Sequence, residues 1–161
     1  MTELEDALIR LGRLEDEQAI LRTLYKYAHS LDAGLPDDWL ACFTADVDYE
    51  VRYPMPPEPA RVAKGTQRGS SVFHKGLDQM KAFVTSVIER GGPTRKHMIC
   101  EPRIELAGDE ATGVTYYFTV DYADGAPEVL TFGRYLDSYR RVDGRWLIAN
   151  RIVDTQGQRP K

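Results

Sequence analysis

The sequence predicts an α+β fold, with helices packed on one face of a curved antiparallel sheet. Three observations carry that prediction. Apolar residues recur at helical spacing through residues 3–33 and again through 77–88. From residue 94 onward the pattern changes to strand-length runs separated by Gly108, Asp124-Gly125 and Asp143-Gly144, the turn signals of antiparallel hairpins. The helices therefore come first and a meander of long strands follows. At 161 residues the chain has the length of one domain, long enough to bury a core without staples. It has no internal repeat and no linker, so residues 1–161 read as a single domain.

Residues 3–33 read as helical, with room for a break at Gly12. Leu4, Leu8 and Leu11 form a short apolar stripe; Ile20, Leu21, Leu24, Ala28 and Leu31 form a second. Asp16 and Glu17 place negative charge near the start of that second segment, where the helix dipole favours it. Gly34 ends the helix. Pro36 then opens a short one, since a first-turn N–H needs no partner, and turns Trp39, Leu40 and Phe43 toward the core. Residues 46–53 switch to period two: Val47, Tyr49, Val51 and Tyr53 alternate with Asp48, Glu50 and Arg52, a half-buried strand. In residues 54–72 the prolines at 54, 56, 57 and 59 exclude a regular ladder. A loop of that length reads as a lid or a partner-contact arm, or as a merely mobile loop. A second long helix begins after Gly76, carries Leu77, Met80, Phe83, Val84, Val87 and Ile88, and stops at Gly91-Gly92-Pro93. Four strands follow, at about 94–106, 111–122, 129–142 and 145–154. The polar tail 156–161 is expected to fray. One face of the sheet would cover the helices. The other would carry Tyr116, Phe118, Val120 and Tyr122 or their alternates, apolar enough to predict a homodimer or homotrimer.

Composition excludes several classes of function. A formal net charge of -4 argues against nucleic acid or an anionic membrane as the main partner. The basic pairs Arg95-Lys96 and Arg140-Arg141 are isolated and read as solvated surface. No apolar run approaches the ~20 residues that span a bilayer, and the acidic start Met1–Asp6 is no secretory signal. Cys42 and Cys100 lack metal-ligand or disulfide-framework spacing; they read as buried free thiols, as suits a cytoplasmic protein. Three scattered histidines give no metal-site pattern, and no glycine-rich loop joins a strand to a helix. Neither a metal nor a nucleotide cofactor is therefore expected.

What stands out is Asp32. It lies at the end of the first helix, close to the apolar stripe that also holds Tyr27. A carboxylate on the buried side of a helix is costly unless a partner satisfies it. His29 points away and reads as surface. His74, beside Lys75 at a strand-to-helix junction, reads as surface or capping. His97 remains, mid-strand, sharing a face with Arg95 and Ile99. An Asp–His pair fixes the imidazole tautomer and stabilises its cation, which makes the free nitrogen a better base. No serine lies in a nucleophile elbow, so the chemistry expected is proton abstraction from carbon or water rather than acyl transfer.

Taken together, Tyr27-Ala28-His29-Ser30-Leu31-Asp32, Asp46 after Cys42-Phe43-Thr44-Ala45, the helix from Gly76, His97, Gly133-Arg134-Tyr135, Arg141–Trp146 and Arg151 resemble the SnoaL-like branch of the nuclear-transport-factor-2-like superfamily. The resemblance spans essentially the whole chain. It implies a cone of curved sheet around the helices with a deep apolar pocket. Members of the superfamily include scytalone and bile-acid dehydratases, a dehydrochlorinase, steroid isomerases, polyketide cyclases and non-catalytic subunits. By that resemblance Asp32 and His97 look like the catalytic dyad, and Tyr27 like the tyrosine beside it. Tyr49, Tyr53, Asp121 and Arg151 then look like substrate-binding positions, although Arg151 would equally suit a pair with an acid on a neighbouring strand. The function implied is a cofactor-independent lyase of the dehydratase kind, or an isomerase, acting on a small hydrophobic aromatic or polycyclic molecule. Its alternatives are a polyketide cyclase or hydroxylase and a non-catalytic binding or assembly subunit.

Overall fold

The computed structural model describes residues 2–92, 94–123 and 125–158, with the backbone alone for Ala60 and Ala123. The first helix, α1 (Glu3–Asp32), starts with a reciprocal cap: Thr2 Oγ1 accepts from the Glu5 N–H, and the Thr2 N–H donates to Glu5. It runs unbroken through Gly12, where a side chain would meet nothing within 4 Å. The expected break is therefore absent. Asp16 consequently lies mid-helix, and its charge serves a different purpose from the one its position suggested. Its carboxylate accepts from Trp146 Nε1 and Arg141 Nη1, both at 2.9 Å, which ties α1 to the last hairpin. Burial starts only at Ile20; Leu4, Leu8, Leu11 and Leu14 are exposed.

The remaining elements are α2 (Pro36–Leu40), β1 (Phe43–Arg52), α3 (Pro59–Val62), β2 (Thr66–Arg68), β3 (Ser71–Lys75), α4 (Gly76–Gly91), β4 (Lys96–Ala107), β5 (Glu110–Ala123), β6 (Ala126–Val142) and β7 (Arg145–Gln158). The fold is α+β, with one open curved sheet in the order β2-β3-β1-β7-β6-β5-β4. Its long meander β4–β7 is antiparallel, as expected. Asp143 and Gly144 both take positive φ in the β6–β7 turn, the geometry that an Asp-Gly hairpin favours.

Three expectations are corrected. The segment 54–72 is not one irregular loop. Its prolines confine the irregular part to residues 53–58, and a one-turn helix and the β2–β3 hairpin follow, with β3 pairing antiparallel to β1. The sheet is not wholly antiparallel, because β1 joins β7 in parallel, Tyr49 opposite Arg151. The tail is not frayed through 156–158, since β7 continues to Gln158 beside Thr131; the expectation for 159–161 falls outside the described residues, as does Pro93 in the predicted helix stop.

The core lies between the helices and the inner face of the sheet. Trp39 packs on Phe43 at 4.6 Å between ring centroids and on Tyr27 at 5.4 Å; Tyr49 packs on Phe83 at 5.2 Å. Fully burying side chains of this size contributes about 1.5–3 kcal/mol each. Trp146 is buried. Cys42 is buried and Cys100 only partly so; both are free thiols. Burial pushes the Cys42 thiol up to about 11, which keeps it protonated and unreactive. Among the described residues no helix is long and apolar enough to cross a membrane.

Candidate active site

Asp32 is the last residue of α1 and His97 the second of β4, nearer the strand's start than its middle. Because β4 is an edge strand, its outward N–H groups have no ladder partner, and Asp32 takes one of them. Both carboxylate oxygens accept from the His97 backbone N–H, at 3.1 and 2.9 Å, and Oδ1 lies 2.6 Å from His97 Nδ1. An anion at a helix C-terminus is disfavoured by the helix dipole. Here these hydrogen bonds offset that cost. With Nδ1 held, Nε2 is the imidazole nitrogen left for a ligand.

His97 lines a cavity of about 490 Å³ enclosed by α1, α4 and the inner face of the sheet. Tyr27, Tyr49 and Tyr53 line it too, so the structure brings four of the seven predicted site residues to one wall system, with Asp32 directly behind His97. The Tyr27 and Tyr49 hydroxyls are 2.9 Å apart. One donates to the other, which leaves a single O–H of the pair for a ligand. Burial raises Tyr49 well above the usual phenol range and raises Tyr53 in the same direction, so both remain neutral donors.

The other two predicted positions lie elsewhere. Asp121 is not in the cavity lining. Thr94 Oγ1 donates to it and Arg95 approaches to 3.5 Å; the Thr94 hydrogen bond chiefly holds its carboxyl below the usual range. Arg151 lies behind the cavity wall, fully buried. Its Nε and Nη2 each donate to Asp137 at 2.7 Å, and Tyr139 donates to the same carboxylate at 2.6 Å. Its guanidinium lies 4.2 Å from the ring centroids of both Tyr27 and Tyr135. Burial alone would make the cation easier to deprotonate, but the charge and hydrogen bonds of Asp137 hold it protonated well above its ordinary value. The pairing with an acid on the neighbouring strand is therefore the arrangement found, and its effect on the cavity is indirect: it fixes the Tyr27 ring.

Several residues of the site were not anticipated. Tyr117 stacks on Tyr135 at 4.5 Å with the planes 3° apart, and its hydroxyl lies 2.9 Å from that of Thr155; burial pushes the Tyr117 phenol up to about 12. Asp137 stands in the alternating run Tyr135-Leu136-Asp137-Ser138-Tyr139, where an acid in register with two inward tyrosines signals a buried charge. His74 lies at the predicted strand-to-helix junction but is neither exposed nor a cap. It is 1% exposed, packed 4.7 Å from Phe83, and covered by Gly65, where an added Cβ would come within 2.6 Å of its ring. Burial lowers its pKa to about 4. His29 is exposed, as expected. Among the described residues no group of three or more His, Cys, Asp or Glu is placed to hold a metal ion.

The fold has counterparts in other proteins. A provisionally named scytalone dehydratase from Novosphingobium aromaticivorans superposes with a TM-score of 0.67 at 21% identity, over 92% of this chain and 89% of that one. The β subunit of a provisionally named aromatic-ring-hydroxylating dioxygenase from the same organism gives 0.72 at 18% identity, over 93% and 95%. LinA gives 0.74 at 15% identity, over 94% and 93%. Likeness at this level of identity establishes the fold. No curated protein matches the chain in sequence. Residues 12–152 match the SnoaL-like domain, and the chain belongs to that family.

Proposed function

We propose that this protein is a lyase of the dehydratase kind, or an isomerase, that acts on a hydrophobic aromatic or polycyclic molecule with its own side chains as acid and base. The observation that carries the reading is the 2.6 Å contact between His97 Nδ1 and Asp32 at the wall of a phenol-lined cavity. In the elimination, His97 Nε2 takes a proton from a carbon beside a carbonyl or an aromatic ring. The electron pair of that C–H bond moves toward the carbonyl oxygen, which gains negative charge and accepts from the free O–H of the Tyr27–Tyr49 pair. The pair then returns to form the carbon–carbon double bond as the hydroxyl on the adjacent carbon leaves, taking the proton from His97 as water. Asp32 accepts the Nδ1–H throughout and stabilises the imidazolium. In the isomerisation, the same proton is returned to a different carbon. Fixed donors aimed at a developing oxyanion in a water-poor cavity are the largest source of rate in such sites.

The test begins with a thermal-shift screen of hydroxylated steroids and aromatic intermediates, since a ligand that binds only the folded state raises its stability. Hits are then assayed for turnover by wild type and His97→Ala. Turnover that survives the substitution unaltered rules out the dyad mechanism.

A second reading is a ligand-binding or assembly subunit. It draws support from the likeness to a dioxygenase β subunit and from the exposed Tyr116 and Phe132 on the outer face of the sheet. It predicts ligand binding without turnover. A polyketide cyclase or hydroxylase would use the same pocket and is separated from a dehydratase by product analysis. A homodimer or homotrimer through the outer sheet face belongs to the same proposal, and sedimentation of the wild type against Phe132→Asp checks it.

A further inference from the structure

The outer end of the cavity has a charge that the proposed reaction does not use. Its inner end is apolar and phenolic, but the lining near solvent includes Arg61, Arg90 and Arg95 against one carboxylate, Glu58. The three arginines come from separate elements: α3, the last turn of α4, and the turn before β4. Arg95 folds back on the end of α4, where its Nη1 would lie 3.8 Å from a Cβ placed on Gly91. Arg61 lies with its guanidinium carbon 5.8 Å from the centroid of the Tyr53 ring. Asp121 offsets part of the Arg95 charge at 3.5 Å, and Arg90 reaches the Ser86 hydroxyl. Among the cavity-lining residues themselves, three guanidiniums meet one carboxylate, with Asp121 near Arg95 and Glu89 near Arg90 outside the lining. Burial, with the proximity of Arg61 and Arg95, makes the Arg90 cation easier to deprotonate than usual. Like charges gathered over apolar surface cost free energy unless an anion completes the arrangement.

We infer that the cavity takes an amphiphilic anion: a hydrophobic body reaching His97 and the tyrosines, with a carboxylate or phosphate head held at the opening by Arg61, Arg90 and Arg95. This rests on the reading of the cavity as the substrate site and narrows its substrate class. Guanidiniums suit either head because their paired N–H groups match two oxygens at once. Arg95 is two residues from His97, so one short stretch of chain places the head group and the base at opposite ends of the same ligand.

The experiment uses the neutral fluorophore N-phenyl-1-naphthylamine as a reporter of the cavity, displaced by decanol, decanoate or decyl phosphate. The three competitors share a tail and differ in the head. Both anions are expected to displace the reporter about tenfold better than decanol. In Arg61→Gln/Arg90→Gln that advantage should shrink to within about twofold, with reporter affinity kept as the sign that the fold is intact. The stronger of the two anions identifies the head. Decanol matching both anions in the wild type, or an anion advantage unchanged in the double variant, overturns the inference and leaves the cavity reading standing. Failure of the reporter to bind wild type overturns both.

Discussion

The Asp137–Arg151 and Asp32–His97 pairs differ in how they meet the cavity. Asp137 and Arg151 are wholly enclosed, 0% exposed on both sides, with two parallel hydrogen bonds, a tyrosine hydroxyl on the carboxylate and aromatic rings against the cation. Asp32 and His97 keep 13% and 12% exposure and meet at the cavity wall, where one imidazole nitrogen has no hydrogen-bond partner among the described residues. The first pair satisfies its carboxylate but not all of its cation: Arg151 Nη1 has no hydrogen-bond partner among the described residues, and neither residue lines the cavity. It fixes the position of Tyr27. The second keeps an imidazole at the cavity wall, and that is what makes it a candidate for chemistry. A buried ion pair by itself is weak evidence for either stability or function. Whether a polar atom of the pair still faces a cavity is what separates the two cases.

The sharpest break in this comparison comes from exchanging the measurements. His97→Ala should lower turnover of any substrate found by roughly 10²–10⁴-fold, while chemical denaturation shows a loss of only about 1 kcal/mol, the worth of an ordinary hydrogen bond. Asp137→Ala should do the reverse. It leaves the Arg151 cation buried and unpaired, at a cost of about 3–5 kcal/mol in unfolding free energy. The double replacement Asp137→Leu/Arg151→Met should recover most of that loss. A double variant no more stable than Asp137→Ala would show that the pair does more than occupy its site.

His74 extends the comparison to a buried ionisable group with no acid beside it; neither ring nitrogen has a hydrogen-bond partner among the described residues. Its pKa falls from 6.5 to about 4 because burial disfavours the cation. The unfolded chain therefore binds a proton more readily than the folded one between those values. Stability from this residue is fully present above pH 6.5 and is lost as pH falls through about 4, by roughly 3 kcal/mol in all. His74→Leu should flatten the profile of melting temperature against pH in that window and leave the neutral-pH value nearly unchanged. An unaltered acid limb would place the sensitivity in other groups. The smallest effect is expected from Tyr49→Phe, which removes one hydroxyl of the Tyr27–Tyr49 pair. Turnover should fall by up to about tenfold with stability lower by about 1 kcal/mol, and Tyr27→Phe should cost at least as much if Tyr27 carries the free O–H.

Local signals and distant ones were unequally legible in the sequence. The helices, the antiparallel meander and its turns follow from periodicity and from Asp-Gly chemistry within a few residues. The Asp32–His97 pair was legible for a different reason: an acid on the buried side of a helix demands a donor, and few were available. Arg151 reads as a polar position with an acid on a neighbouring strand as one possible partner, but which acid does not follow, because the alternation Tyr135–Asp137–Tyr139 places Asp137 inward only once the tyrosines of β6 are known to face the core. The parallel pairing of β1 with β7 left no local trace, since neither strand carries a mark of its neighbour. The burial of His74 depends on Gly65, Phe83 and Tyr49 arriving from three other places. The prolines of 54–59 break a ladder where they stand, but they say nothing about residues beyond their reach. That is how the β2–β3 hairpin was hidden.

The β1–β7 ladder also has a consequence in time. Phe43 pairs with Ile148 and Tyr49 with Arg151, partners roughly a hundred residues apart, so a large loop must close before either contact stabilises anything. During synthesis β1 emerges long before β7 exists. Until the final strand arrives, the hairpin formed with β3 leaves one edge of β1 without its ladder, and Arg151 cannot yet neutralise Asp137. The meander β4–β6 can form early from neighbouring contacts; closure of the sheet and completion of the cavity wall must wait. The folding rate should accordingly be set by the docking of β7, and the species that precedes it, with the β1 edge open, is the one most exposed to association with another chain.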